Sequence, residues 1–157
     1  MDYRISGLDP APFVPLFGRS DDELRAAGAR RYVADARPGF PCRVTLTDAE
    51  PGTTLLLVNF VHLDADTPYR AAHAIFVRED PHAVRAETHA VPEMLRTRLL
   101  SVRAYDADDM MVDADVVAGA SLEPAIERWF SRPDVAYLHA HTANRGCYLA
   151  RIDCRSR

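Results

Sequence analysis

The chain has 157 residues, 48% hydrophobic and 27% charged, with a net charge of −4 at neutral pH. This is the composition of an ordinary globular domain, and it excludes a disordered tail, a collagen and a coiled coil. The acidic balance offers no basic field to a phosphate backbone, so nucleic acid is not an expected partner. All 19 basic residues are arginine, which excludes Schiff-base and phosphate-loop lysine chemistry. Any fixed cation in a site is therefore a planar guanidinium suited to bidentate contacts with an anion.

The N-terminal residues show no basic stretch followed by an apolar run, so no signal peptide is expected. The longest apolar run, around Leu55–Val58, has the length of a strand, and no membrane association is expected. Cys42, Cys147 and Cys154 lack zinc-finger spacing; free thiols and a cytoplasmic location are the simplest expectation.

In chain order, residues 2–7 predict a short strand, and Pro10, Pro12 and Pro15 a turn-rich segment. Ser20, Asp21, Asp22 and Glu23 spell a capping box, which predicts a helix to about Ala27 ended by Gly28. Tyr32 and Val33 fit a strand before the stiff loop Pro38–Pro41. Further strands are predicted at 42–47, 54–62, 69–78, 98–105 and 109–117, with residues 80–97 a loop holding one helical turn near Pro92. The clearest helix is 122–131, with Ser121 as its cap, an apolar stripe of Leu122, Ala125, Ile126, Trp129 and Phe130, and Pro133 barring its continuation. Strands at 135–142 and 147–153 close the chain. Many strands without strand–helix–strand alternation predict an α+β fold. The expectation is a single domain over residues 1–157, with a mostly antiparallel curved sheet and two or three short helices packed on one side.

The closing hairpin is the most informative stretch. Alternation along a strand places Ala136, Leu138 and Ala140 on one face and Tyr137, His139 and His141 on the other. A turn through Ala143, Asn144, Arg145 and Gly146 needs a left-handed final residue, which glycine supplies. With that loop length, Cys147, Leu149 and Arg151 would share the histidine face, and Tyr148, Ala150 and Ile152 the apolar one. Two imidazoles two residues apart on a strand are able to share a metal ion. A competent site needs a third ligand, for which His73, Asp113, Asp115 and Cys147 are candidates. The same pair also suits metal-free acid–base work, or a plain cross-strand pair on a half-exposed surface.

Elsewhere, His73 alternates with Ile75 and Val77 and reads as a core histidine before it reads as a ligand. Arg70 falls on the opposite face, between small neighbours, where it would meet an anionic ligand or an aspartate. Cys42 reads as a small buried hydrophobe rather than a nucleophile. Asp113 and Asp115 share a face, with Arg103 and Tyr105 expected opposite them in cross-strand pairs. Asn59, in an otherwise apolar strand, is expected to be buried and to need partners.

Several runs taken together carry a resemblance across nearly the whole chain. They are P-G-F-P-C-R-V-T-L with D-A-E-P-G just after it, P-Y-R-A-A-H-A-I-F-V-R-E, R-L-L-S-V-R-A-Y-D-A-D-D-M-M-V-D-A-D-V-V, and H-A-H-T-A-N-R-G-C-Y-L-A-R. The chain resembles a bacterial family catalogued as domain of unknown function 1203. The resemblance implies a stand-alone, single-domain bacterial protein and carries over no activity, cofactor or catalytic residue.

The residues themselves point to an enzyme for a small anionic molecule. His139 and His141 would supply acid–base chemistry, or would bind a divalent metal ion with His73. Arg151, Tyr137, Cys147 and Arg70 would contact the ligand. A non-catalytic ligand-binding module using the same groove is the alternative. A protein-interaction module pairing through a sheet edge, including with a second copy of itself, is the other.

Overall fold

The computed structural model describes residues 2–155. Its strands divide between two sheets. The first contains β1 (Tyr3–Ser6), β7 (Glu87–Thr88), β8 (Leu99–Tyr105), β9 (Met111–Ala118), β10 (Tyr137–Thr142) and β11 (Tyr148–Cys154), in the order β7-β1-β11-β10-β8-β9 and antiparallel throughout. The second contains β2 (Arg30–Val33), β3 (Pro41–Cys42), β4 (Thr47–Asp48), β5 (Thr54–Leu63) and β6 (Ala71–Arg78), in the order β2-β5-β6-β3-β4, with β3 and β6 its parallel pair. Three α-helices, α1 (Asp21–Ala26), α2 (Glu93–Arg96) and α3 (Leu122–Phe130), complete the α+β architecture.

Local chemistry explains most element ends. The Ser20 hydroxyl accepts from the Glu23 amide while the Glu23 carboxylate accepts from the Ser20 amide, which is the capping box read from the sequence. Gly28 ends α1 at φ 74°. Two expectations are corrected. Ser121 caps nothing: Gly119–Ser121 form a 3₁₀ turn running straight into α3, so Ser121 lacks the extended backbone of an N-cap. The strand expected at 42–47 breaks into β3 and β4, because the chain reverses through Leu46 at φ 53° to pair the two antiparallel.

The apolar stripe of α3 packs on the face of the first sheet formed by Val102, Ala104, Leu138, Ala140, Ala150 and Ile152, and this is the largest core. Asp113 and Asp115 point to that helix. Their register partners are Ala104 and Val102, which share their face, whereas Arg103 lies opposite Ala114 and projects from the other side. The expected pairing with Arg103 is therefore replaced by contacts to α3 and its flank. Asp113 accepts from Trp129 Nε1 at 3.1 Å and from Arg132 at 2.6 Å, and Asp115 accepts from Arg128 at 3.0 Å.

On the second sheet, Leu56, Val58, Ile75 and Val77 bury one face against Phe13 and Leu24, with Cys42 buried among them. Asn59 is exposed rather than buried, because its side of β5 is open to solvent at that point.

Gly119 joins α2 to α3 at very close range. A Cβ there would sit 1.9 Å from the Leu95 carbonyl oxygen and 2.8 Å from the Arg96 backbone. Gly119→Ala is expected to destabilise the fold by about 2–3 kcal/mol, as forced insertions into packed regions do. Urea unfolding at neutral pH measures it, and an unchanged midpoint would contradict the contact.

Candidate functional site

The first sheet's face opposite α3 and the far end of the second sheet's buried face meet in a cluster of imidazoles. On β5, Leu56, Val58, Phe60 and His62 alternate inward, with His62 the extra residue of a bulge between Val61 and Leu63. On β6, His73 lies opposite Phe60, on the face of Ile75 and Val77. From the first sheet, the face opposite α3 contributes His139 and His141 of β10. Their neighbours across the ladder are Arg103 and Ser101 on β8, and Arg151 and Tyr148 on β11.

The register on β11 corrects the parity read from the sequence. A bulge between Ala140 and His141 pairs Ala140 with Ala150 but His141 with Tyr148. Leu149 is the extra residue, and it turns into the α3 core. Tyr148 turns to the histidines instead of the apolar face. The rest of the turn is as expected, with Gly146 at φ 75°.

The rings interlock across the two sheets. His62 stacks on His73 with centroids 4.7 Å apart, and on Tyr148 at 5.2 Å with planes only 11° from parallel. His141 meets His62 edge-on at 4.9 Å, and His139 meets His62 at 5.5 Å. One ring nitrogen each from His62, His73 and His141 lies within 4.8 Å of the others. Of the candidate ligands, His73 and His141 thus lie in one cluster, His139 beside it. Asp113 and Asp115 are on the opposite face of the first sheet.

Hydrogen bonding sets the tautomer of His141. Its Nδ1 lies 2.9 Å from the Gly146 carbonyl oxygen, to which only an N–H is able to donate. Nε2 is left with its lone pair, buried and without a hydrogen-bond partner. Nδ1 of His73 and His139 and both ring nitrogens of His62 are likewise buried without a hydrogen-bond partner, and a neutral His62 ring carries one N–H and one lone pair. Each such buried polar atom costs about 1–3 kcal/mol relative to a paired one.

Burial also keeps these rings neutral. It pushes His141 down to about 2, His139 to about 3 and His62 to about 4, and it lowers His73 as well. The guanidinium of Arg103 adds to the effect on all four. Arg103 forms no ion pair among the described residues, and Ser101 Oγ lies 3.5 Å from its Nε. A neutral imidazole is the form that ligates a metal.

A shallow cleft of about 190 Å³ opens beside the cluster, with His62, His139, Tyr148, Arg85 and Arg151 in its wall. The Arg151 guanidinium lies 3.7 Å over the Tyr137 ring and donates to Asp153 at 2.8 Å. Tyr137 donates to Asp109 at 2.6 Å, and burial raises its pKa. Two other expected ligand contacts lie elsewhere. Arg70 precedes β6, is largely exposed and pairs with Asp64. Cys147 lines a separate cleft with Arg43 and Arg145.

His62 was not legible as a site residue from the sequence. The usable signal was its even spacing from Leu56, Val58 and Phe60, which places it on the inner face at the end of the strand.

A model of the family described as "Protein of unknown function (DUF1203)" matches residues 39–154. The chain belongs to that family, as the resemblance implied. No curated protein and no solved structure matches it. Among the described residues, no helix is long and apolar enough to cross a membrane.

Proposed function

We propose that the protein is a metal-dependent enzyme for a small anionic molecule, holding a divalent transition-metal ion through His62, His73 and His141. The observation that carries this reading is the convergence of three neutral imidazoles whose ring nitrogens include buried, unpartnered lone pairs. The bond from His141 Nδ1 to the Gly146 carbonyl is the outer-shell contact that orients a ligating histidine. Tetrahedral zinc with Zn–N near 2.0–2.1 Å needs nitrogens roughly 3.3–3.4 Å apart, so small rotations of these rings close the site. An all-imidazole set suits zinc, copper, iron or nickel rather than calcium or magnesium.

Metal-free acid–base catalysis is the weaker reading. A general acid or base works best with a pKa near the operating pH, and burial holds His139 and His141 far below it. An ion with three protein ligands and an open fourth position supplies an activated water and a Lewis acid. Around it, Arg85 and Arg151 would hold the anionic group of the substrate in the cleft, and His139 would donate a ring N–H to it. This chemistry fits hydrolysis. Three free cysteines are consistent with a cytoplasmic setting.

The test is metal titration of chelator-treated protein with zinc and cobalt, followed by elemental analysis and cobalt absorption. One equivalent is expected, with a tetrahedral cobalt spectrum, and Arg151→Ala should leave it unchanged. Absence of stoichiometric binding overturns the proposal. Binding without turnover of any small anionic ester or amide would leave the non-catalytic module as the function.

A further inference from the structure

We propose a second ligand site, for a small aromatic carboxylate, in the cleft between the outer face of the second sheet and the β10–β11 turn. This cleft has a volume of about 430 Å³ and is bounded by Tyr32, Phe40, Phe76, Arg43, Arg145 and Cys147. The imidazole cluster belongs to the opposite face of β6: Ala74 and Phe76 point outward here, whereas His73 and Ile75 point inward. The assignment therefore stands independently of the metal.

The decisive residue is Arg43. Its surface is only 3% exposed, yet it forms part of the cleft wall. Nε donates to the Tyr148 carbonyl at 2.8 Å and Nη1 to the Pro41 carbonyl at 2.6 Å. Nη2 makes no hydrogen bond and the guanidinium no ion pair among the described residues. The nearby carboxylate, Asp48, is already engaged by both terminal nitrogens of Arg98, at 2.6 and 2.7 Å. A buried cation without a counter-charge is expensive unless an anion arrives to meet it. Arg145, exposed at the rim and without an ion pair among the described residues, adds a second guanidinium.

The rest of the wall selects the body of the ligand. Phe76 packs edge-on against Tyr32 at 5.4 Å and tilted against Phe40 at 5.2 Å, so three rings form one side of the cleft. Rings prefer offset or edge-to-face neighbours, and guanidinium is matched to a carboxylate fork. Together they describe a flat apolar acid, carboxylate inward on Arg43 and ring against Phe76.

Cys147 provides the readout, because a bound ligand would cover its thiol. The experiment measures N-ethylmaleimide labelling of Cys147 by peptide mass spectrometry, with half-buried Cys154 as the internal control. The probes are benzoate, its neutral isostere benzamide, and inorganic phosphate. Benzoate should slow labelling of Cys147 at least fivefold at saturation while Cys154 labels at an unchanged rate; benzamide and phosphate should not. Arg145→Ala should raise the half-protecting benzoate concentration at least threefold, and Arg43→Met should abolish protection. Should Arg43→Met fail to fold, wild type and Arg145→Ala decide the matter. No protection by benzoate, equal protection by benzamide, or indifference to Arg145→Ala overturns the site. Protection by phosphate as strong as by benzoate overturns its aromatic specificity.

Discussion

Replacing His141 by leucine should lower zinc affinity by at least about 100-fold while leaving the metal-free protein within about 1 kcal/mol of wild-type stability. The two halves of this result have separate causes. Loss of a direct ligand removes more than loss of an outer-shell partner, which already costs roughly 10–100-fold. Stability is nearly conserved because opposing terms cancel. Leucine abolishes a buried Nε2 that has no partner, and an unsatisfied acceptor costs about 1–3 kcal/mol. It also deletes the bond to the Gly146 carbonyl, a net loss on the order of 1 kcal/mol. Thermal unfolding with chelator and with excess zinc reads both effects at once. Wild type gains about 2.7 kcal/mol when free zinc is 100 times its dissociation constant, and the variant gains no more than about 0.4 kcal/mol. If the chelated variant unfolds outright, His141 is a structural residue and the site assignment falls with it. Natural sites trade stability for function in this way, and four neutral imidazoles that each keep at least one buried ring nitrogen unpartnered have the character of such a site.

What was legible in the sequence follows the range of the physics involved. The capping box, the glycine stop after α1 and the apolar stripe of α3 are written in neighbouring residues, and each appears where the pattern placed it. The shared face of His139 and His141 also follows from local alternation, since β10 pairs with β8 without a break through both. One inserted residue on the returning strand was enough to exchange Tyr148 and Leu149, because the bulge reverses the alternation on its turn side while Ala150, Arg151 and Ile152 keep the expected faces. That bulge depends on how β11 meets β10, which no local pattern encodes. The association of His62 with His141 is longer in range still. It requires two separate sheets to face each other, and β5 considered alone places His62 on the inner face without saying what it meets there. Arg103 was misassigned for a related reason. The β8–β9 register sets Ala114 rather than Asp113 opposite it, so it projects from the face of His139 and not from that of the aspartates.

Acid should unfold the metal-free protein earlier than its carboxylates alone would dictate. A histidine in the unfolded chain titrates near 6.5, whereas burial holds His62, His139 and His141 at about 4, 3 and 2 in the folded protein. Between those limits the unfolded chain binds more protons. Stability is therefore complete above about pH 6.5 and falls as the pH drops from there toward the folded values. At pH 5, some 1.5 units below the unfolded value, each fully shifted imidazole costs up to about 2 kcal/mol. His139 and His141, both almost wholly buried, should together remove about 2–4 kcal/mol from a total typically of 5–15. The lowered carboxylates of Asp113 and Glu79, held by Trp129 and Arg31, act only at lower pH, below their ordinary range. Urea unfolding of chelated protein at pH 7.5 and pH 5.0 measures the difference. The double variant His139→Leu with His141→Leu should flatten it by at least half. Equal pH dependence in wild type and the double variant would show that these rings are protonated or solvated in the folded chain, and a neutral, ligand-ready cluster would then have no physical basis.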